Sequence, residues 1–180
     1  MSPRKLLTAL LLCLTFTNTY AAPFDNGLVS INLPNGFHGP LIKGADTRAN
    51  SVAFAKAHDP SGTHNTVLYI DVYPMSDSMP GDPPVDPVAL AQHKLMQVLK
   101  NLPKPGDTMT HAEPASVTLD GLPAVRVTWS TDGGARMRGI MYGVVAGPNL
   151  FVLNISDYDD FTKRNTKQMD AAIQAIKFKL

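Results

Sequence analysis

Two histidines six residues apart, His58 and His64, with Asp59 beside the first, are the best-spaced candidate metal ligands in the chain. Zinc needs three or four donors in tight geometry. The segment HDPSGTHN supplies two imidazoles and one carboxylate, and its Asp, Pro, Ser and Gly content reads as a hairpin loop in which Asp59 is committed to the turn. A small metal-dependent hydrolase built on His58, His64 and an aspartate brought near by folding is therefore the weaker functional reading. The run Asp157, Asp159 and Asp160 offers the oxygens that calcium takes, but it precedes a helical pattern where carboxylates cap orphan N–H groups. Capping is preferred.

Nucleophilic and acid–base chemistry have less support. The lone cysteine is Cys13, no G-x-S-x-G elbow occurs, and Ser61, between His58 and His64, has no orienting third group. Glu113, the sole glutamate, has no aspartate placed opposite it, so glycoside chemistry lacks its second carboxylate. The glycines Gly133, Gly134, Gly139, Gly143 and Gly147 do not form a phosphate loop, because no Lys-Ser or Lys-Thr follows in a strand, loop and helix order. Gly139 and Gly143 are expected instead to let a helix pack closely over their strand. The sequence thus predicts no catalytic residue, no cofactor and no metal.

Binding has a better candidate. In TVLYIDVY, Tyr69, Asp71 and Tyr73 share one face by the period of two, and the chain then enters a proline-rich loop carrying Met75, Asp77, Met79 and Asp82. Tyrosine and methionine are enriched at interfaces, and a proline-stiffened loop loses less entropy on docking. The competing reading makes Tyr69 and Tyr73 ordinary core under a helix. Arg126 and Arg138, on adjacent hairpin strands, form a second candidate surface, against the alternative of solvated edge charges.

These residues need a scaffold. LVSINLPNGF alternates and closes on a turn; SVAFAKA (51–57) and TVLYIDVY (66–73) form a strand pair. After the 74–86 loop, Asp86-Pro87 starts a helix expected to run to Asn101, with Ala91, Leu95, Val98, Leu99 and Leu102 on one face. Asp120-Gly121 marks a hairpin, residues 131–135 and Pro148-Asn149 mark two further turns, and four strands in series must pair antiparallel. A last helix presents Met169, Ala172, Ile173 and Ile176, with Asp159 or Asp160 as its cap. Runs such as VLYIDV and IMYGVV are apolar at positions that one-sided alternation would make polar, so both sheet faces are covered. The fold class is α/β (α+β): an α/β/α sandwich with a mainly antiparallel central sheet of six or seven strands and helices on both faces.

The N-terminus carries an address. Arg4 and Lys5 precede an apolar run from Leu6 to Phe16, shorter than the roughly 20 residues that span a bilayer, and small residues follow. This reads as a cleavable signal peptide over residues 1–21, with Thr19 and Ala21 at the small-residue positions, leaving one domain over 22–180. Leu12 before Cys13 argues against a lipid anchor. The mature chain carries no cysteine, so its stability comes from packing. Loss of Arg4 and Lys5 leaves 14 basic against 15 acidic residues, and no basic cluster that nucleic acid or an anionic membrane would require.

A strand ending LPNGF, the run GLPAVRVTW after an Asp-Gly turn, the strand pair RGIMYGVVAGPNLFVLNIS and the tail AAIQAIKFKL together resemble the PsbP-like superfamily. It includes photosystem II extrinsic proteins, a Ran-nucleotide-release factor, DcrB-related proteins and some periplasmic immunity proteins. The resemblance covers most of the mature chain. It implies a binding or accessory protein without an active site and does not select the partner. The resulting expectation is a non-catalytic exported module, periplasmic in a Gram-negative source, that contacts another protein through loop 74–86 and the nearby strand. A specific form is an immunity protein that occludes a secreted cell-wall hydrolase.

Overall fold

The computed structural model describes residues 20–41, 50–57, 65–75, 86–133, 136–158 and 162–180. In chain order the elements are β1 (Tyr20–Asp25), β2 (Val29–Pro34), β3 (Asn50–Ala57), β4 (Asn65–Pro74), α1 (Pro87–Asn101), β5 (Thr108–His111), β6 (Ala115–Leu119), β7 (Leu122–Asp132), β8 (Met137–Ala146), β9 (Asn149–Tyr158), α2 (Thr162–Gln174) and β10 (Lys177–Phe178).

A seven-stranded antiparallel sheet runs in the order β3-β4-β9-β8-β7-β5, with β6 also on β7. The centre of that sheet is recognisable from burial. β9 is buried from Leu150 to Asp157 on both faces, whereas β4 alternates between buried and half-buried. The Asp120-Gly121 turn forms as its residue types demand. Both residues have positive φ, 50° and 78°, and Leu119 pairs with Leu122, the geometry of a two-residue hairpin turn. One predicted turn shifts by a residue: the chain reverses at Gly147-Pro148, and Asn149 already pairs with Ala146.

α1 lies on one face. Its Asp86 cap accepts the Val88 N–H at 2.9 Å and Pro87 occupies the first turn, while Ala91, Leu95 and Leu99 are buried. They pack with Val125, Val127, Met141 and Val152. Gly143 permits this approach, since a Cβ there would meet Leu95 Cγ at 3.0 Å and the Ala91 carbonyl oxygen at 3.1 Å. Gly139 departs from expectation. A Cβ there would collide with the Trp129 ring and the Ile155 carbonyl, so it accommodates a cross-strand indole and not a helix.

The other face is covered by α2 and by a second sheet, β1-β2-β10, that the sequence reading did not separate from the first. Val29, Ile31 and Leu33 from β2 join Leu68, Ile70, Leu153, Ile155, Met169, Ile173 and Phe178 in one core. Asp120 ties the sheets together: Oδ2 accepts the Phe178 N–H at 2.9 Å and Oδ1 the Lys177 ammonium at 2.6 Å. The architecture is α+β, with helices on both faces of a seven-stranded sheet. Its one addition is the second small sheet beside α2.

Candidate functional site

Strand periodicity places Tyr69, Asp71 and Tyr73 together on the α1 side of β4, half-buried, while Leu68, Ile70 and Val72 point into the opposite core. Their cross-strand neighbours on β9 are Asn154, Val152 and Leu150. Asn154 is itself engaged, accepting the Trp129 indole N–H at 3.1 Å. The tyrosines are thus neither fully buried core nor free surface: they lie at the margin where α1 stops covering the sheet.

Two residues outside the sequence-based candidates complete this margin. Ser51, paired with Asp71 in the β3–β4 register, donates its hydroxyl to Asp71 Oδ1. Lys94 on α1 places Nζ 3.7 Å from the centroid of the Tyr73 ring, a cation–π contact worth about 0.5–2 kcal/mol depending on desolvation. Burial holds the Asp71 carboxyl above its ordinary value, partly opposed by the Ser51 hydrogen bond and the Lys94 charge. A groove of about 620 Å³ continues along α1, lined by Tyr73, Lys94, Gln97, Lys100, Asn101 and Leu102. Met75, just after β4, donates its N–H to the Pro148 carbonyl at 2.8 Å and packs on the α1 cluster.

The arrangement suits recognition better than bond chemistry. The Ser51 proton is directed at a carboxylate, and β3, β4 and β9 carry no histidine to act as its base. Two tyrosines, an acid and lysines along a groove instead supply amphipathic contact area and hydrogen bonds.

The arginines stand on the other face. Arg126 donates Nε–H to Tyr142 Oη at 3.0 Å, and its guanidinium carbon lies 5.8 Å from that ring's centroid. Tyr142 Oη also accepts from Gln174 Nε2 at 3.0 Å and donates to Asp170 Oδ1, so one phenol joins β7 and β8 to α2. Burial, reinforced by Asp170, pushes its pKa up to about 12, which keeps the donated proton in place. Arg138 is exposed, opposite Ser130 in the register. The β4 row and the two arginines therefore belong to separate surfaces.

Asp77, Met79 and Asp82 lie outside the described residues, as do His58, Asp59, His64, Asp159 and Asp160. Asp157 is described and fully buried, accepting from the Thr66 hydroxyl at 2.6 Å and the Tyr158 N–H at 2.8 Å. Among the described residues no three His, Cys, Asp or Glu side chains converge as a metal would need.

The fold has counterparts among solved structures. The cyanobacterial PsbP protein CyanoP from Synechocystis superposes with a TM-score of 0.64 at 12% identity, over 88% of this chain and 92% of that one. The chain has the PsbP-like fold. LpqN of Mycobacterium tuberculosis, described as involved in cell envelope biogenesis, matches with a TM-score of 0.57 and 19% identity, over 88% and 90% of the two chains. A Pseudomonas aeruginosa protein described as a putative regulator gives 0.54 and 13%, over 88% and 97%. No family model matches the sequence, and no curated protein matches it either. At these identities the PsbP-like likeness is one of fold, and function has to be argued from this chain's own surfaces.

Proposed function

We propose that this chain is a non-catalytic, exported accessory module that acts by binding another protein along the margin of β4 and α1. The observation that carries the reading is the half-buried row Tyr69, Asp71 and Tyr73, capped by Lys94 and opening onto the α1 groove. A purely structural row would be sealed by the helix; this one keeps amphipathic side chains at the solvent boundary, as interface residues do.

Export rests on the N-terminal pattern of Arg4, Lys5 and the apolar run to Phe16. Cleavage after Ala21 would remove the Tyr20↔Pro34 pair at the start of β1 and keep the β1–β2 pairs from Pro23↔Asn32 to Asp25↔Ser30. No helix among the described residues is long and apolar enough to cross a membrane. The PsbP-like fold and a cell-envelope protein among its structural neighbours fit an envelope role. Within that class, the more specific reading is an immunity protein that occludes a cell-wall hydrolase.

Affinity capture from periplasmic extract tests the proposal. The purified chain should retain one specific protein, and Tyr69→Ala with Tyr73→Ala should release it while circular dichroism stays unchanged. Retention undiminished by the double substitution would remove the β4 margin as the binding surface.

A further inference from the structure

The far edge of the large sheet presents a second surface, independent of the β4 margin. β5 is the last strand in the order, and among the described residues no strand lies beyond it. The Ala112 N–H bonds the Thr128 carbonyl at 2.9 Å, continuing the β5–β7 register in which Thr110 faces Ser130 and His111 faces Trp129. Antiparallel hydrogen-bonded pairs alternate, so the backbone groups of Thr108 and Thr110 bond β7 while those of Met109 and His111 point outward. Such an edge is a template for one more strand.

A groove of about 390 Å³ lies against this edge, between β5, β7, β8 and α2. Among the described residues, its lining includes the hydroxyls of Thr110, Thr128, Ser130 and Thr166 and the exposed Arg138, and no carboxylate side chain. Thr110 and Ser130 hydroxyls bond each other at 2.8 Å. Thr166 Oγ1 is sheltered from solvent and has no hydrogen-bond partner, a condition that is unfavourable unless something supplies one. Among its described residues the groove is rich in hydroxyl donors and carries an arginine at its rim.

We infer that the β5 edge takes an extended acidic segment of a protein partner as an added strand. Its main chain pairs with Met109 and His111, and every second side chain turns to the α2 face of the sheet. A carboxylate there enters the groove, accepting from the hydroxyls and meeting Arg138. Main-chain pairing supplies affinity, and the groove supplies the preference for acid.

Titration of the 15N-labelled chain with two capped hexapeptides tests this, one alternating valine and aspartate, the other valine and lysine. The aspartate peptide should shift the Met109 and His111 amides, with half-saturation at roughly 0.1–1 mM, the affinity of a short unconstrained strand. The lysine peptide should not. His111→Pro removes an outward donor without touching the β7 ladder and should abolish binding. Because proline can distort β5, Arg138→Gln at an exposed side chain is the second variant, expected to weaken the aspartate peptide about tenfold. No shift at several millimolar, equal response to both peptides, or binding unchanged in both variants would overturn the proposal.

Discussion

Lys94 from the middle of α1 and Tyr73 from the end of β4 meet with the ammonium nitrogen 3.7 Å from the ring centroid, sealing helix to sheet beside the groove. Neither partner is fully buried, so the contact should contribute in the lower part of the cation–π range. A double-mutant cycle with Lys94→Met and Tyr73→Leu is expected to give a coupling of about 0.5–1 kcal/mol in urea unfolding. A coupling of zero would show that the two side chains are merely adjacent.

Asp71 should make stability fall with rising pH. Its folded carboxyl lies above the unfolded value of 3.8, chiefly through burial, so the native state holds the proton more tightly than the unfolded chain does. That advantage is complete below the unfolded value and is lost as pH rises through the folded one. Asp71→Asn, whose amide oxygen still accepts from Ser51, should remove this loss and gain on the wild type as pH rises from 3 to 7. Parallel pH–stability curves for the two proteins would contradict the assignment.

Asp120 works in the opposite sense. Lys177 and the Phe178 N–H hold its carboxyl below the ordinary value, so its stabilisation is present above pH 3.8 and disappears as pH falls through the folded value. Lys177 is 70% exposed, which limits the ion pair to a few tenths of a kcal/mol. Asp120→Asn, which tolerates φ of 50° and still accepts from Phe178, should therefore cost little. Asp120→Ala also loses the acceptor and strains the turn, at about 1–3 kcal/mol by thermal unfolding.

The glycines of β8 should rank differently under alanine substitution. At Gly143 the new methyl presses on Leu95 and Ala91, which α1 can relieve by a small shift, costing about 1–3 kcal/mol. At Gly139 it meets the Trp129 ring and a backbone carbonyl of β9 that cannot move without breaking the sheet. Gly139→Ala should be the more damaging of the two in the midpoint of denaturant unfolding.

The contrast between those glycines marks what a sequence can and cannot reveal here. Local signals were legible: Asp86-Pro87 as a helix start, Asp120-Gly121 as a hairpin, and the period of two that puts Tyr69, Asp71 and Tyr73 on one face. β5 was missed because Thr-Met-Thr-His lies at a sheet edge with three of its four residues exposed, so burial imposes no apolar alternation. β1 was missed because its first residues fall in the segment read as a signal peptide and the rest, Pro23 to Asp25, is too short to show a period, and β10 because its two residues pair far away in sequence, Phe178 with Val29. Ser51 and Lys94 were invisible as site residues for the same reason: their partners, Asp71 and Tyr73, lie on other elements. Arg126 was legible as a strand residue, but the phenol it bonds comes from β8 and the carboxylate behind it from α2.

Site-specific photo-cross-linking in the source cell asks whether the β4 margin touches another protein. With a benzophenone side chain at Tyr69, one dominant covalent adduct to a second protein is expected, and none from the same group at Thr118, an exposed position on β6. No adduct at Tyr69, or the same adducts from both positions, would contradict it.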